Sequence, residues 1–122
     1  MNNAAPEGWH TVTPRMFVRD TQKMVAFLKS TFAATGEHQA SRPSEIRIGD
    51  SMVMVSSIEF RGAMPAFLYV YVDDVDATYA RAIAAGAVSL EVPALMPYGD
   101  RRCMVQDAWD NVWQIATRKA LL

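Results

Sequence analysis

Apolar and polar positions change period several times along the chain, and each change marks an element. Residues 10–18 (HTVTPRMFV) are rich in β-branched and apolar types and predict a strand. Pro14 removes a ladder N–H from it, which places that strand at an edge or an irregularity. Asp20 offers a carboxylate at an N-cap position, and Met24, Phe27, Leu28 and Phe32 follow at helical spacing. This predicts an amphipathic helix over 21–33, with Gly36 just beyond its end. Residues 44–48 and 51–57 predict two short strands turned at Gly49-Asp50. From residue 66 the series restarts. FLYVYV (67–72) is a strand, Asp73 or Asp74 caps a helix carrying Val75, Tyr79, Ala82 and Ile83, and Gly86 stops it. Residues 88–92, 102–106 and 112–116 supply three more strands.

The chain is thus a βαβββ unit written twice. Phe17, Val18 and Asp20 recur 54 residues later as Tyr71, Val72 and Asp74, each set closing a strand and opening a helix. The run from Asp50 to Val55 lies over Asp110 to Ile115 at an offset of 60. The six residues gained fall most naturally around 93–100. Two copies at so long a period are an internal duplication, not a solenoid.

Composition narrows the class of partner. The 122 residues are 51% hydrophobic and 20% charged, the profile of one soluble domain spanning 1–122. A chain of this size buries about two thirds of its unfolded surface and needs no disulfide or structural metal. Twelve basic residues face thirteen acidic ones, for a net charge of -1, with no Lys/Arg cluster. That argues against nucleic acid or an anionic membrane as partner. The opening residues, MNNAAPEGW, hold no basic segment followed by an apolar one, and no uninterrupted apolar run approaches about 18 residues. The expected location is cytoplasmic, in keeping with a lone Cys103 that cannot form an internal disulfide.

Four blocks, GWHTVTPRMFVRD, EIRIGDSMVMV, LYVYVDDVDATYARAIAAGA and GDRRCMVQDAWDNVWQIAT, resemble the glyoxalase/bleomycin-resistance/dioxygenase (vicinal oxygen chelate) superfamily, and particularly its PhnB-like branch. The resemblance extends from Gly8 to Lys119. It implies an α+β fold in which tandem βαβββ units, 8–57 and 66–119, form a curved mixed sheet with helices on the outer face. Metal-dependent members hold a divalent ion with four side chains, and the resemblance carries those places onto Thr13, Met54, Phe67 and Gln114. The duplication supports the placement, since offsets of 54 and 60 relate Thr13 to Phe67 and Met54 to Gln114. Such a cation needs imidazole or carboxylate donors, and these four supply a single neutral amide oxygen. No metal and no other cofactor is expected. His10 and His38 are the only histidines, no HxH, HExxH or CxxC pair is present, and no nucleophile stands at a recognisable spacing from either. No catalytic residue is therefore assigned. DAWDNVW departs from the family's Asp-Pro-x-Gly turn, with Ala108 and Asp110 in place of proline and glycine.

Strand alternation sorts the remaining side chains. Thr13, Arg15, Phe17, Met52, Met54, Phe67, Tyr69, Tyr71, Val112 and Gln114 share the concave face. Val12, Met16, Val18, Val53, Val55, Leu68, Val70, Val72, Trp113 and Ile115 take the other and should pack beneath the helices. Methionines adapt to irregular ligands, rings stack on flat ones, and a guanidinium grips an anion, so the concave set suits an aromatic or apolar small molecule. Tyr98, Asp100, Arg101 and Arg102, in the stretch PYGDRR, form a candidate lid, with Tyr98 and Arg101 as its ligand-binding residues.

Three functions follow. The leading one is a metal-free small-molecule-binding protein of the bleomycin-resistance type, with Thr13, Arg15, Phe17, Met52, Met54, Phe67, Tyr69, Tyr71, Gln114, Tyr98 and Arg101 as ligand-binding residues. The alternative is a glyoxalase- or dioxygenase-like lyase, isomerase or oxygenase with non-standard or misregistered metal ligands. The third is an interaction module whose concave face is filled core. The resemblance further implies a two-fold homodimer, Thr13, Arg15 and Met54 of one chain facing Phe67, Tyr69 and Gln114 of its mate.

Overall fold

A computed structural model describes residues 4–119. They divide between Met64 and Pro65 into two compact units. In the first, β1 (Arg15–Val18), α1 (Thr21–Phe32), β2 (Ser44–Ile48) and β3 (Ser51–Ser57) form a three-stranded sheet ordered β1-β3-β2, followed by a 3₁₀ turn at Ile58–Phe60. β1 runs parallel to β3 and β2 antiparallel. A parallel pair requires a crossover, and α1 provides it. Asp20 starts the helix by accepting from the Lys23 amide at 3.0 Å. α1 packs on β2 and β3, burying Met24, Val25, Phe27, Leu28 and Phe32 alongside Met16, Val18, Ile46, Val53 and Val55.

β1 is shorter than its sequence suggests, because Pro14 can accept from the Met54 amide at 2.9 Å but has no N–H to extend the ladder. Residues 10–14 therefore lie outside the sheet, and Val12, expected beneath a helix, is 78% exposed. The helix ends one residue earlier than expected, and its left-handed cap is Ala33, not Gly36. Gly36 matters for another reason. Thr35 and Arg47 exchange backbone hydrogen bonds of 3.0 and 2.8 Å in a single antiparallel bridge, which stands where a fourth strand would run. At Gly36 (φ 121°) a Cβ would lie 2.5 Å from the Glu45 carbonyl oxygen.

The second unit contains β4 (Phe67–Tyr71), α2 (Val75–Ala84), β5 (Val88–Leu95), β6 (Asp100–Gln106) and β7 (Val112–Arg118), in a sheet ordered β4-β7-β6-β5. Asp74 caps α2 through the Ala77 amide at 3.1 Å, and α2 packs on β5, β6 and β7. β4 is parallel to β7, the other pairs antiparallel, and the β5–β6 register shifts twice, between Ser89 and Glu91 and between Glu91 and Ala94. Pro93 falls in the second shift, where an edge strand tolerates a missing N–H.

The duplication is visible in the ladders themselves. Arg15 stands opposite Met54, and Tyr69 opposite Gln114, at the offsets of 54 and 60 read from the sequence. Glu45 pairs with Met54 as Met104 pairs with Gln114, so all but one of the six added residues enter before β6, where β5 and its turn are built. The last lengthens the β6–β7 turn. There Asp107, buried, accepts from the amides of Trp109 and Asn111 and the side chains of Asn111 and Trp113 (Nε1, 2.9 Å). Asp110 occupies the left-handed region at φ 69°, so the turn survives the loss of glycine. No helix among the described residues is long and apolar enough to cross a membrane.

Candidate functional site

In each unit the helix covers one sheet face, and the pleat directs alternate side chains to the other. On the first unit's open face, Arg15 is exposed, donates from Nε to Ser56 Oγ at 2.9 Å, and holds its guanidinium carbon 5.0 Å from the centre of the Phe17 ring. Met54 lies between Arg15 and Glu45 in the ladder, and Met52 is buried. Glu45 pairs with Arg42 at 3.7 Å. Thr13 precedes β1, so strand alternation does not govern where its side chain points.

The second unit's open face carries the denser chemistry. Three ladder rows cross it: Phe67–Val112–Gln106–Val88, Tyr69–Gln114–Met104–Glu91, and Tyr71–Ala116–Arg102–Ala94. Phe67, Tyr69 and Tyr71 remain 63%, 39% and 59% exposed. Their neighbours Leu68 and Val70 turn to the helix side and are half-buried, whereas Trp113 and Ile115 are fully buried.

Asp100, the first residue of β6, organises this face. It is completely buried, and its Oδ2 accepts from Tyr69 Oη at 2.6 Å and Tyr71 Oη at 2.8 Å. Arg118 Nε stands 2.9 Å from Oδ1. The Tyr69 hydrogen bond above all, then that of Tyr71 and the charge of Arg118, hold the Asp100 carboxyl below its usual range against the opposing effect of burial. Burial, reinforced by Asp100 and Tyr98, pushes the Tyr69 hydroxyl far above its ordinary value. Neither group exchanges its proton near neutral pH, so the pair is built for rigidity and not for acid–base work. The Tyr69 and Tyr71 rings lie 5.3 Å apart at 54°. Tyr98 Oη is 3.1 Å from both Tyr69 Oη and Arg102 Nη1, and Arg102 Nη2 donates to Glu91 at 2.7 Å.

Of the residues expected to bind ligand, the structure brings Phe67, Tyr69, Tyr71, Tyr98 and Gln114 to this face, and Arg15, Phe17, Met52 and Met54 to the open face of the first unit. Arg101 goes elsewhere. Strand parity turns it to the helix side, where Nε and Nη2 grip the Asp76 carboxylate at 2.8 and 2.9 Å. Its neighbour Arg102 takes the place expected of it. Met104, Glu91 and Arg118 have no place in the sequence reading, and Asp100 and Arg102 enter it only as part of the PYGDRR loop. The signal lay in DRRCM, whose alternate residues share a face once β6 begins at Asp100 and not at Arg102.

The residues at the four metal-ligand positions do not fit a divalent cation. Thr13, Met54 and Phe67 carry no donor suited to it, and Gln114 offers one neutral oxygen. Among the described residues no three His, Cys, Asp or Glu side chains converge to hold a metal. His38 Nε2 lies 2.9 Å from Thr21 Oγ1 at the start of α1, and His10 is exposed. Cys103 is buried under α2's side of the sheet, its thiol pushed up to about 11 by burial, so it is no nucleophile at neutral pH.

The family model described as Glyoxalase/Bleomycin resistance protein/Dioxygenase superfamily matches residues 7–115. No curated protein matches the chain. Among solved structures, a glyoxalase/bleomycin resistance protein/dioxygenase family enzyme from Burkholderia phytofirmans PsJN is 22% identical with a TM-score of 0.76, over 93% of this chain and 99% of that one. TioX from Micromonospora sp. ML1 is 22% identical with a TM-score of 0.71, over 88% and 98%. The fosfomycin resistance protein FosX from Mesorhizobium loti is 22% identical with a TM-score of 0.68, over 88% and 91%. At such identity these neighbours speak for the fold.

Proposed function

The chain belongs to the glyoxalase/bleomycin resistance/dioxygenase superfamily, and from that premise we propose a metal-free small-molecule-binding protein of the bleomycin-resistance type that holds an aromatic or apolar ligand without transforming it. The observation that carries this reading is the exposed strip of Phe67, Tyr69 and Tyr71 on one face of β4, beside Gln114 and Met104. Rings left to solvent on a braced sheet face mark a surface awaiting an apolar occupant. The residues at the metal-ligand positions support the metal-free part of the reading by their chemistry. The quoted sequence blocks support the PhnB-like branch, the balanced charge supports a protein without nucleic-acid or membrane partners, and the lone Cys103 agrees with a cytoplasmic location. The reading includes a two-fold homodimer, which light scattering tests against the 13.6 kDa of one chain.

The test of the function is a thermal-shift and tryptophan-fluorescence titration against a panel of aromatic compounds, with elemental analysis of protein purified without chelator. A ligand at 100 times its Kd stabilises by about 2.7 kcal/mol. Tyr71→Ala weakens that ligand roughly tenfold, as loss of a ring contact does. A panel without a single stabilising compound, or stoichiometric zinc, nickel, manganese or iron in the protein, overturns the proposal.

A further inference from the structure

Every hydroxyl proton on the second unit's open face is already committed. An ionised carboxylate only accepts, so Tyr69 and Tyr71 both donate to Asp100 Oδ2. Tyr69 has one proton. In its 3.1 Å contact with Tyr98 it must therefore accept, and Tyr98 donates. The Tyr98 oxygen accepts in turn from Arg102 Nη1. Proton order runs one way, from Arg102 through Tyr98 and Tyr69 to Asp100, and Tyr71 ends on the same carboxylate oxygen.

The cations are paired with carboxylates as well. Arg102 is matched by Glu91 at 2.7 Å, and its Nε, which finds no partner, is shut off from solvent. Arg118 is matched by Asp100 and donates from Nη1 to the Tyr98 carbonyl at 2.9 Å. What the hydroxyls leave for a ligand is lone pairs, foremost those of Tyr71 Oη on the more exposed of the two rings. A phenol that donates to a carboxylate also gains electron density in its ring, and the tilted Tyr69 and Tyr71 faces are thereby better seats for positive charge.

From this polarity we infer that the second unit's open face selects aromatic ligands bearing an N–H donor, and takes an aromatic ammonium in preference to an aromatic carboxylate. The inference rests on the reading of this face as a small-molecule site.

The experiment compares two probes of one shape, 1-naphthylmethylammonium and 1-naphthoate, by titration into the full chain followed through backbone amide NMR shifts of β4 and β7. The ammonium is expected to bind there roughly fivefold more tightly, from one cation–π contact and one hydrogen bond at an exposed site. Tyr71→Phe keeps the ring and removes the oxygen. It is expected to cut the preference roughly threefold. Equal or tighter binding of naphthoate in the natural protein overturns the inference and leaves the small-molecule reading intact, as does a preference that Tyr71→Phe does not alter. If neither probe shifts β4, both fall. Should Tyr71→Phe fail to fold, the ratio in the natural protein decides alone.

Discussion

The two units repeat one frame and diverge in what they hang on it. Both open their helix with an aspartate that caps the amide three residues on, at Asp20 and Asp74, and both pair the first strand with the last in parallel at equivalent registers. On the open face the equivalents differ in kind. Arg15 opposite Met54 becomes Tyr69 opposite Gln114, and the second unit adds a buried carboxylate bound by two tyrosines. On the paired first and last strands the helix-side positions are constrained by packing, so Met16, Val18, Val53 and Val55 and their equivalents Val70, Val72, Trp113 and Ile115 are all apolar. Open-face positions carry no such constraint, which is why chemistry can collect in one copy without unfolding either.

The comparison can be broken at the core. Trp113, fully buried, donates its indole N–H to Asp107, while its equivalent in the first unit is Val53. Trp113→Ala is expected to cost about 3–5 kcal/mol in urea unfolding, and Val53→Ala about 2 kcal/mol. Equal losses would mean the second unit does not lean on its tryptophan. Gly36→Ala comes next, at about 2 kcal/mol or more. An added Cβ meets the Glu45 carbonyl at 2.5 Å, and backbone cannot swing aside as a side chain can.

Acid should separate the units without mutation. The two carboxylates held below their usual range, Asp76 by its Arg101 hydrogen bonds and Asp100 by Tyr69, both lie in the second unit. A carboxyl whose folded pKa lies below its unfolded value of about 3.9 stabilises the fold above that value, and the contribution is lost as pH falls from there through the folded pKa. Hydrogen exchange below about pH 4 is therefore expected to open β4, β6 and β7 before β2 and β3, and Asp100→Asn to narrow the gap. Opening of the first unit first would contradict the assignment.

Where sequence and structure agree, the signal was local. Caps and the Gly49-Asp50 hairpin depend on residues a few positions apart, and the repeat offsets need only the chain laid over itself, so they are legible. The disagreements turn on single residues whose effect depends on a neighbouring strand. Pro14 sits in a run that has strand composition but cannot donate to the ladder, and so β1 starts at Arg15. The strand expected over 88–92 runs on through Pro93 to Leu95, because a shifted edge register needs no N–H there. The strand expected over 102–106 begins at Asp100, and that two-residue difference hides the parity that separates Arg101 from Arg102. The Asp100 cluster could not be read ahead, since it joins side chains 29 and 31 residues apart.

The smallest expected effects concern how each unit turns into its last strand. The first uses a two-residue turn with Gly49 at φ 59°, where an added Cβ meets nothing within 4 Å. The strain of Gly49→Ala is then purely that of a left-handed backbone, about 1 kcal/mol. The second unit places Asp110 at φ 69°, a conformation that aspartate tolerates better than most residues, and its Oδ1 accepts from Gln106 Nε2 at 3.2 Å. Asp110→Gly removes the strain and the hydrogen bond together. At the sheet surface such a hydrogen bond contributes about 0.5 kcal/mol, less than the strain relieved. The greater freedom of glycine in the unfolded chain offsets the remainder, so the variant is expected to stay within about 0.5 kcal/mol of the natural protein in urea unfolding. A loss as large as that of Gly49→Ala would show that the Asp110 side chain, and not its backbone angle, holds the longer turn.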